Sequence, residues 1–215
     1  KKIRNILTAH NLEDQVETFF IRLSRGSGIH GLSSMKQNYK FDGNINLVRP
    51  LLEVKKTKLK RVSKIFFGRF YKDPTNKNTK YLRTRIRNLK NSIEKSGISY
   101  DQIFKSITNL ASSRDTLEIY FNNIYKDLIT VKKGKILIDH KKFKKLNQEM
   151  KMRVFKKSIT DFSKSYYSPR SKKIINLIDQ IEAQKNPKLT LGGCLILKEK
   201  SHIVIMSENK RKVFY

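Results

Sequence analysis

The sequence predicts an α/β fold for the first part of the chain, followed by a mainly helical region that ends in a small β-hairpin. Residues 3–9 form a short apolar run rich in branched side chains, as in a buried strand of a parallel sheet. A helical spacing of apolar residues follows at once, so a strand leads directly into a helix. After residue 98 one helical pattern follows another, and segments 189–197 and 202–206 have the character of two strands joined by a polar turn.

The first helix has clear start and stop signals. Asn11 is a favourable N-cap residue, and Gly26 ends the pattern. Acidic residues at Glu13 and Asp14 suit the first turn of a helix, where they meet the positive end of its dipole. The apolar residues of this helix share one face: Leu12, Val16, Phe19, Phe20 and Leu23. Together the strand, the polar junction and the helix make half of a βαβ unit.

The later elements follow from the same patterns. A short strand is expected at 45–52, where Pro50 places it at an edge or an end, and residues 73–76 (DPTN) are a strong turn signal. Another short strand is expected at 135–138. Helices are expected at 56–67, 81–93, 103–110, 117–128, 143–158 and 172–184. A change of character near residue 95 divides the chain into 1–95, a helical linker at 96–130 and a basic part at 131–215.

The charge of the chain points to a polyanionic partner. Its 215 residues include 48 Lys and Arg against 18 Asp and Glu, a net charge of +30. Nucleic acid is the commonest partner of so basic a protein, although a lysine-rich compositional bias could supply part of the charge. The hydrophobic share of 38% still permits a buried core, so wholesale disorder is not expected.

The sequence also excludes several classes of protein. It holds no apolar stretch long enough to cross a bilayer, so no membrane partner is expected. Its one cysteine, Cys194, excludes a disulfide framework and a cysteine-based zinc site, and a cytoplasmic setting follows most simply. The chain begins with Lys rather than Met, which indicates a fragment.

A dense polar cluster lies where the first strand leads into the first helix. In open α/β sheets, ligands bind at the carboxyl ends of the strands. Asp14 and Glu17 share one helical face there, and two carboxylates could coordinate Mg²⁺ or hold the ammonium of an amine substrate. The alternative is an ordinary solvated first turn, because acids favour helix N-termini in any case. The whole cluster comprises His10, Glu13, Asp14, Gln15 and Glu17.

Several groups of cations could meet phosphate. The loop Arg25–Gly28 could bring backbone amides and a guanidinium to a phosphate, although Gly-Ser-Gly is also simply a helix stop. Arg83, Arg85 and Arg87 alternate on one helix, where arginine suits bidentate contacts or forms a solvated face. Basic runs interleaved with aromatic residues or Met suit the backbone of a folded RNA, or are solvated faces: 55–61, 141–145, 151–157 and 170–173.

Three stretches resemble the tRNA(Ile)-lysidine synthetase (synthase) family of PP-loop ATP-pyrophosphatases. Residues 8–18 (TAHNLEDQVET) and 22–32 (RLSRGSGIHGL) are close to the family block TAHHxDDQxET…RLxRGSGxxGL. Residues 49–52 (RPLL) form the second stretch. The third, DPTN at 73–76 with Arg83 and Arg87, is similar to the family block DxSN…RNxxR. A weaker similarity covers residues 190–194 (TLGGC).

The resemblance implies a fold and a reaction. Residues 1–95 would form part of a PP-loop, adenine-nucleotide α-hydrolase-like parallel sheet. The reaction would use ATP and Mg²⁺ to adenylate C2 of the wobble cytidine in an isoleucine tRNA with a CAU anticodon. Free L-lysine would then displace AMP and give lysidine, so that diphosphate and AMP are the other products. A homodimer is left open.

The resemblance also implies roles for individual residues. Asp14 and Glu17 would bind the lysine ammonium, with Asp14 and Arg83 as the catalytic pair. The implied ATP-binding residues are His10, Arg25, Gly26, Ser27 and Gly28. Arg87 would support Arg83 or contact tRNA. The implied tRNA-binding residues are Arg87, Lys141, Lys142, Lys144, Lys145, Arg153, Lys156, Lys157, Arg170, Lys172 and Lys173. No residue is implied as a metal ligand.

The sequence departs from the family pattern at several places. Asn11 stands for the second His of the block, Glu13 for its first Asp, and Thr84 for the Asn after Arg83. The family's phosphate loop, SGGxDS, precedes the TAH block and does not occur in the sequence. We therefore expect a C-terminal fragment of the enzyme that is inactive alone.

Two other functions are open at this point. A PP-loop tRNA thiolase would adenylate a base and then deliver sulfur, but sulfur delivery generally needs a catalytic cysteine, and Cys194 lies far from the acidic block. A non-catalytic basic RNA-binding module would need no active site, and its acidic cluster would be only a helix cap.

Overall fold

The computed structural model describes residues 3–42, 45–71, 78–132, 134–165 and 167–208. The predicted turn at 73–76 lies outside the described residues. The chain divides into two compact units, Lys1–Thr116 and Leu117–Tyr215. The division falls within a 29-residue helix, Tyr100–Leu128, in which the two helices expected at 103–110 and 117–128 are continuous. None of the described helices is long and apolar enough to cross a membrane.

The first unit contains a three-stranded sheet and a set of helices. Its strands have the order β1-β3-β2, in which β1 is parallel and β2 antiparallel to β3. Strand β3 ends before Pro50, so it is shorter than the expected 45–52, and β2 was not predicted. The elements are β1 (Asn5–Leu7), α1 (Leu12–Leu23), α2 (Ile29–Leu32), β2 (Asn38–Asp42), β3 (Ile45–Val48), α3 (Lys56–Phe67), α4 (Leu82–Asn88), α5 (Lys90–Lys95) and α6 (Tyr100–Leu128).

Strand β1 differs from its prediction in burial. The predicted parallel strand is present, but all three of its residues are exposed, and Leu7 is 69% exposed. An apolar, branched segment favours extended backbone wherever it lies, whereas burial requires another element to cover it. The small core of this unit lies instead between α1 and the first turns of α6: Leu12, Val16, Tyr100, Ile103 and Ile107.

The second unit is built on a five-stranded antiparallel sheet with the order β4-β5-β8-β7-β6. The predicted terminal hairpin is therefore part of a larger sheet, although the helical and strand character of this region is confirmed. The predicted strand at 189–197 is itself a hairpin, because Gly192 and Gly193 have positive φ angles of 61° and 75°. The elements are β4 (Ile129–Lys132), β5 (Lys135–Asp139), α7 (His140–Lys144), α8 (Gln148–Ser163), α9 (Ser171–Ala183), β6 (Lys188–Leu191), β7 (Cys194–Lys198) and β8 (His202–Ser207).

Helices α8 and α9 cover this sheet and form the main core with it. Phe155 and Ile178 are fully buried, and Phe143 meets Phe155 edge to face at 5.1 Å between ring centroids. Cys194 belongs to the same core and is also fully buried. Burial raises the pKa of its thiol, which makes it a structural residue rather than a reactive one.

Candidate functional site

Asp14 holds the N-terminus of α1 in a capping box. Its Oδ2 accepts a hydrogen bond from the Asn11 amide at 3.0 Å, and the Asn11 Oδ1 accepts one from the Asp14 amide at 3.2 Å. The two bonds satisfy amides that the first turn of a helix leaves without partners. Asn11 thus replaces a histidine of the family pattern with a residue suited to capping. The carboxylate of Asp14 is half-buried at the start of the helix.

Glu17 lies one turn further along α1 and is paired with α4. Arg87 donates from Nε to Oε1 at 2.6 Å and from Nη2 to Oε2 at 2.9 Å. Arg83 lies beside the same carboxylate, with its Nε 3.5 Å from Oε2, and its Nη2 donates to Thr18 Oγ1 at 3.3 Å. The hydrogen bonds to Glu17 raise the pKa of Arg87 above its ordinary value. Four predicted site residues therefore meet at one place: Asp14, Glu17, Arg83 and Arg87.

The pairing changes the role that the sequence indicated for Glu17. Its side chain is 2% exposed and both carboxylate oxygens are held by Arg87. A substrate ammonium would have to displace a bidentate guanidinium to reach it, so this structure does not present Glu17 as a direct ligand of lysine. Arg87, expected at the RNA surface, likewise has its guanidinium on Glu17. The sequence contains no signal for this pairing, because the partners are 70 residues apart.

His10 lies at the entrance to α1. Its Nδ1 is 2.9 Å from Thr8 Oγ1, so the hydroxyl orients the ring. Thr8 is in turn attached to the sheet, because its amide donates to the Val48 carbonyl at 3.0 Å. The imidazole is half-buried where β1 leads into α1, beyond the carboxyl end of that strand.

The loop Arg25–Gly28 does not form the amide cradle that its glycines suggested. The amides of Arg25 and Ser27 donate to the Arg22 carbonyl, and the Gly26 amide donates to the Leu23 carbonyl. These bonds close the last turn of α1, so the three amides are already used within the chain. Gly28 then begins the short helix α2 as its N-cap residue. The side chain of Arg25 is exposed and is suited to a phosphate contact from this loop.

Three arginines hold the segment that follows this loop. Arg22 Nη1 donates to the carbonyls of Gly31 and Ser34, both at 2.8 Å. Arg49 Nη1 donates to the Lys36 carbonyl at 2.8 Å, and Arg114 Nη1 donates to Ser33 Oγ at 2.9 Å. Burial and the other arginines lower the pKa of Arg22. The predicted Arg-Gly-Ser-Gly segment is thus part of a tightly bound loop.

Gln15 adds to the same attachment from α1. Its side-chain amide donates to the Met35 carbonyl at 2.9 Å and its Oε1 accepts from the Met35 amide at 2.8 Å. A cavity of about 310 Å³ lies beside this segment, with Gln15, Ser33 and Arg114 in its wall. None of the four residues at the Glu17 pairing lines it. This cavity is therefore separate from the predicted catalytic residues.

Glu13 has a role that the sequence did not reveal. Its Oε2 accepts a hydrogen bond from the Lys56 amide at 2.8 Å, at the first residue of α3. The Leu12 amide also donates to the Val54 carbonyl at 3.1 Å. The N-termini of α1 and α3 are therefore bound to each other, and a carboxylate at an N-terminus is stabilised by the helix dipole.

The described residues contain no group of three or more His, Cys, Asp or Glu side chains arranged to hold a metal ion. The groups gathered at Glu17 are its own buried carboxylate and two guanidinium groups, and the half-buried carboxylate of Asp14 lies one helical turn away. Such a set fits an anionic nucleotide better than a bare divalent cation, because Mg²⁺ in proteins commonly takes most of its oxygen ligands from phosphates and water.

The basic residues of the second unit differ in how far they reach the surface. Arg153 is an exception to the predicted surface, since its side chain is only 11% exposed and its Nε donates to Glu149 at 2.8 Å. Lys142 pairs with Asp127 at 2.8 Å and Lys157 with Asp161 at 3.2 Å. Lys156 is half-buried and donates to Ser171. The remaining predicted cations are exposed: Lys141, Lys144, Lys145, Arg170, Lys172 and Lys173.

Comparison with known proteins identifies one domain in the chain. Residues 1–92 match the family described as a PP-loop domain. This region includes all of β1, α1, the Arg22–Leu32 loop and α4, and so the whole pairing of Glu17 with Arg83 and Arg87.

Curated relatives match almost the whole chain. A protein of Wolbachia pipientis wMel is 32% identical over 212 residues, which are 97% of this chain and 49% of the relative. Proteins of Ruegeria pomeroyi and Orientia tsutsugamushi are 27% and 29% identical over 97% and 96% of the chain. Each carries the name tRNA(Ile)-lysidine synthase. The chain spans about half the length of the curated relatives it matches.

Proposed function

The chain belongs to the PP-loop family of tRNA(Ile)-lysidine synthases, and on this basis we propose that it takes part in the ATP-dependent ligation of lysine to a tRNA. The observation that carries the proposal is the meeting of Asp14, Glu17, Arg83 and Arg87 at the start of α1. An acidic and a cationic group side by side suit a reaction that joins an amine to a phosphate-activated base.

The proposed reaction has two steps. The C2 carbonyl oxygen of the wobble cytidine, in an isoleucine tRNA with a CAU anticodon, attacks the α-phosphorus of ATP, and diphosphate leaves. The amine of free L-lysine then forms a bond to C2 and loses a proton, while AMP leaves with the former carbonyl oxygen. ATP and Mg²⁺ are therefore the proposed cosubstrate and ion, and diphosphate, AMP and lysidine the products.

Arg83 is the residue that we assign to the phosphate charge. Its side chain is 44% exposed, so it can contact a ligand, while its Nε stays 3.5 Å from Glu17. A guanidinium placed before the substrate arrives stabilises negative charge that develops on the phosphate during adenylation. Thr18, which accepts from Arg83, and Glu17 hold the guanidinium in place. His10 and Arg25 are the proposed contacts for the rest of the nucleotide.

Asp14 is the carboxylate that we assign to the lysine ammonium. It is half-buried, and in the described residues its Oδ2 is engaged by a backbone amide rather than by a cation. Glu17 acts through Arg87 instead: the pair fixes α4 against α1 and keeps Arg83 at the site. We therefore revise the predicted carboxylate pair into one substrate ligand and one positioning residue.

The two alternative functions, a tRNA thiolase and a non-catalytic RNA-binding module, are not favoured. A thiolase needs a reactive cysteine, and Cys194 is fully buried in the core of the second unit. A non-catalytic module is not favoured, because the relatives that match almost the whole chain carry the name of an enzyme. The substrate tRNA would be bound by the exposed lysines of the second unit, in the cytoplasmic setting expected from the sequence. A homodimer stays a prediction.

The test measures lysidine formation by the protein expressed from the full reading frame that contains this chain. Asp14→Asn removes the charge but keeps an oxygen that can accept from the Asn11 amide, so the capping box survives. We expect at least a hundred-fold loss of labelled lysine incorporation, with tRNA affinity unchanged. Asp14→Asn with full activity would overturn the assignment of Asp14. Absence of lysidine formation by the wild-type protein would overturn the proposed function itself.

A further inference from the structure

Tyr100 buries a hydroxyl group that has no hydrogen-bond partner among the described residues. The residue begins α6, is 6% exposed and packs with Val16 of α1 in the small core of the first unit. A buried hydroxyl that forgoes a hydrogen bond costs stability, whereas a phenylalanine would fill the same space without that cost. The hydroxyl therefore calls for an explanation other than packing.

The partner of this hydroxyl has to come from the side chains that already surround it. The Tyr100 Oη is buried within the first unit, so any further part of a longer protein could cover the residues around it but could not reach the atom from outside. Burial and, after it, the charge of Glu17 are the largest causes that raise the pKa of Tyr100 to about 12. The group is therefore a neutral donor near a carboxylate.

Glu17 is the best acceptor among the carboxylates around the hydroxyl. Glu94 and Glu13 also raise the pKa of the tyrosine, but less than Glu17 does. Glu94 is paired with Lys90 at 3.7 Å, and Glu13 accepts from the Lys56 amide at the start of α3. Glu17 is 2% exposed, so it depends on donors from within the protein.

A phosphate at the proposed site would compete with Glu17 for Arg87. Arg83 and Arg87 are one turn apart on α4, and both lie against the same carboxylate. A phosphate that contacts Arg83 therefore also attracts Arg87, because a guanidinium binds phosphate and carboxylate oxygens in the same bidentate way. If Arg87 turned to the phosphate, Glu17 would be left as a buried charge without its main partner.

We propose that Tyr100 is a positioning residue whose hydroxyl donates to Glu17 when Arg87 turns from that carboxylate to a phosphate of the substrate. The inference rests on the proposed function, which supplies the phosphate from ATP or from tRNA. Without ligand, Arg87 holds Glu17 and the hydroxyl is unpaired. With ligand, the two donors exchange, so the buried carboxylate keeps a partner in both states.

The first test needs no ligand and uses hydrogen exchange at the amides of α1 and α4, in the protein expressed from the full reading frame. Tyr100→Phe alone should change the exchange rates less than two-fold, because the hydroxyl has no partner to lose. In the Arg87→Ala background the hydroxyl becomes a donor to Glu17, so the same substitution should speed exchange roughly ten-fold. The matched control is the background of Arg85→Ala, in which Tyr100→Phe should again have little effect.

The second test measures ligand affinity by calorimetry, with α,β-methylene-ATP and with the isoleucine tRNA as separate probes. Tyr100→Phe should weaken binding roughly ten-fold for the probe whose phosphate takes Arg87, because the loaded state loses a hydrogen bond to a charged group. The probe that is affected identifies the source of the phosphate. The matched control is Tyr125→Phe, which removes a buried hydroxyl 3.1 Å from Ser158 Oγ in the second unit and should leave both affinities within two-fold.

Either test can overturn the proposal. Additive effects of Tyr100→Phe and Arg87→Ala on hydrogen exchange would show that the hydroxyl does not reach Glu17. Unchanged affinity of Tyr100→Phe for both probes would do the same, and this second test stands even where Arg87→Ala is too unstable to measure. Lysidine formation does not enter either measurement, so a failed ligase assay would contradict the proposed function and leave the coupling between Tyr100 and Arg87 as a separate result.

Discussion

Arg87 and Glu17 form a bidentate ion pair across 70 residues of sequence, with Nε–Oε1 2.6 Å and Nη2–Oε2 2.9 Å. The carboxylate is 2% exposed and the guanidinium 28% exposed. Leaving a carboxylate at this depth without a partner would be costly, because an unpaired buried ion loses its hydration with nothing in exchange. The pair therefore joins α1 to α4 and keeps Arg83 beside the proposed site.

The first prediction concerns the stability of this junction. Arg87→Ala leaves Glu17 buried with Arg83 as its remaining partner at 3.5 Å. We expect the free energy of unfolding to fall by about 2–3 kcal/mol, below the usual cost of breaking a buried pair because Arg87 is partly solvated. Hydrogen exchange at the amides of α1 and α4 measures this loss locally. Arg85→Ala, an exposed arginine of the same helix, is the control and should change exchange little. Equal effects of the two substitutions would contradict the pairing.

The second prediction concerns Gly28 of the Arg-Gly-Ser-Gly loop and Gly31 of α2. A Cβ on Gly31 would lie 2.5 Å from Ser27 Cβ, whereas a Cβ on Gly28 would meet nothing within 4 Å. Gly31→Ala should therefore lower the free energy of unfolding by about 1–3 kcal/mol, as overpacking does, and Gly28→Ala should cost less. Chemical denaturation of both variants provides the comparison.

A rescue variant separates this clash from a loss of backbone freedom. Ser27→Gly removes the Cβ that Gly31→Ala would strike, so the double variant should recover most of the lost stability. If the double variant is no more stable than Gly31→Ala alone, the close approach of these two residues is not the cause.

The third prediction concerns two tyrosines that ionise late. Burial raises the pKa of Tyr125 and of Tyr100 to about 12, from an ordinary value of 10.0. Below pH 10 both hydroxyls are neutral in the folded and unfolded chain, so the free energy of unfolding does not depend on their ionisation there. Between about pH 10 and 12 the unfolded tyrosine ionises first, and stability falls with rising pH. Absorbance titration should show two tyrosines that ionise near pH 12. Each of the variants Tyr125→Phe and Tyr100→Phe should show one fewer.

The two substitutions should differ near neutral pH. Tyr125 lies 3.1 Å from Ser158 Oγ, so Tyr125→Phe should cost about 1 kcal/mol, the usual value of a lost hydrogen bond. The hydroxyl of Tyr100 is buried with no hydrogen-bond partner among the described residues. Tyr100→Phe should therefore be neutral or stabilising. A large loss in that variant would mean that the hydroxyl has a partner in solution.

The fourth prediction concerns the basic surface of the second unit. Lys144→Ala/Lys145→Ala removes two exposed cations, so tRNA affinity should fall and become less dependent on salt. If both lysines contact phosphate, the slope of log affinity against log salt should fall by about 1.8, since each contact contributes ~0.9. Filter binding across a salt series measures this slope.

Arg153 supplies the control for that surface. Arg153→Met keeps the buried aliphatic part of the side chain and removes a charge that is paired with Glu149. Its tRNA affinity and salt slope should stay close to those of the wild type. If Arg153→Met reduces the salt slope as much as the loss of one exposed lysine does, Arg153 contacts the RNA and its ion pair with Glu149 breaks on binding.

The sequence by itself determined the local elements and the family. The Asn11 cap at the start of α1, the bounds of α3 and the presence of a strand at β1 follow from signals within a few residues of each element, because capping and periodicity are local. The motifs that identified the tRNA(Ile)-lysidine synthase family are equally local. The similarity of almost the whole chain to curated relatives of that name confirms the resemblance.

Only the tertiary structure decided what those elements contact. It paired Glu17 with Arg87 and so left Asp14 as the carboxylate for a substrate, and it bound Glu13 to the start of α3. It also left the apolar face of α3 exposed and built a five-stranded sheet where a hairpin was expected. The physical reason is common to all four: burial and ion pairing depend on partners distant in sequence, and a periodic pattern describes only one of the two surfaces that meet.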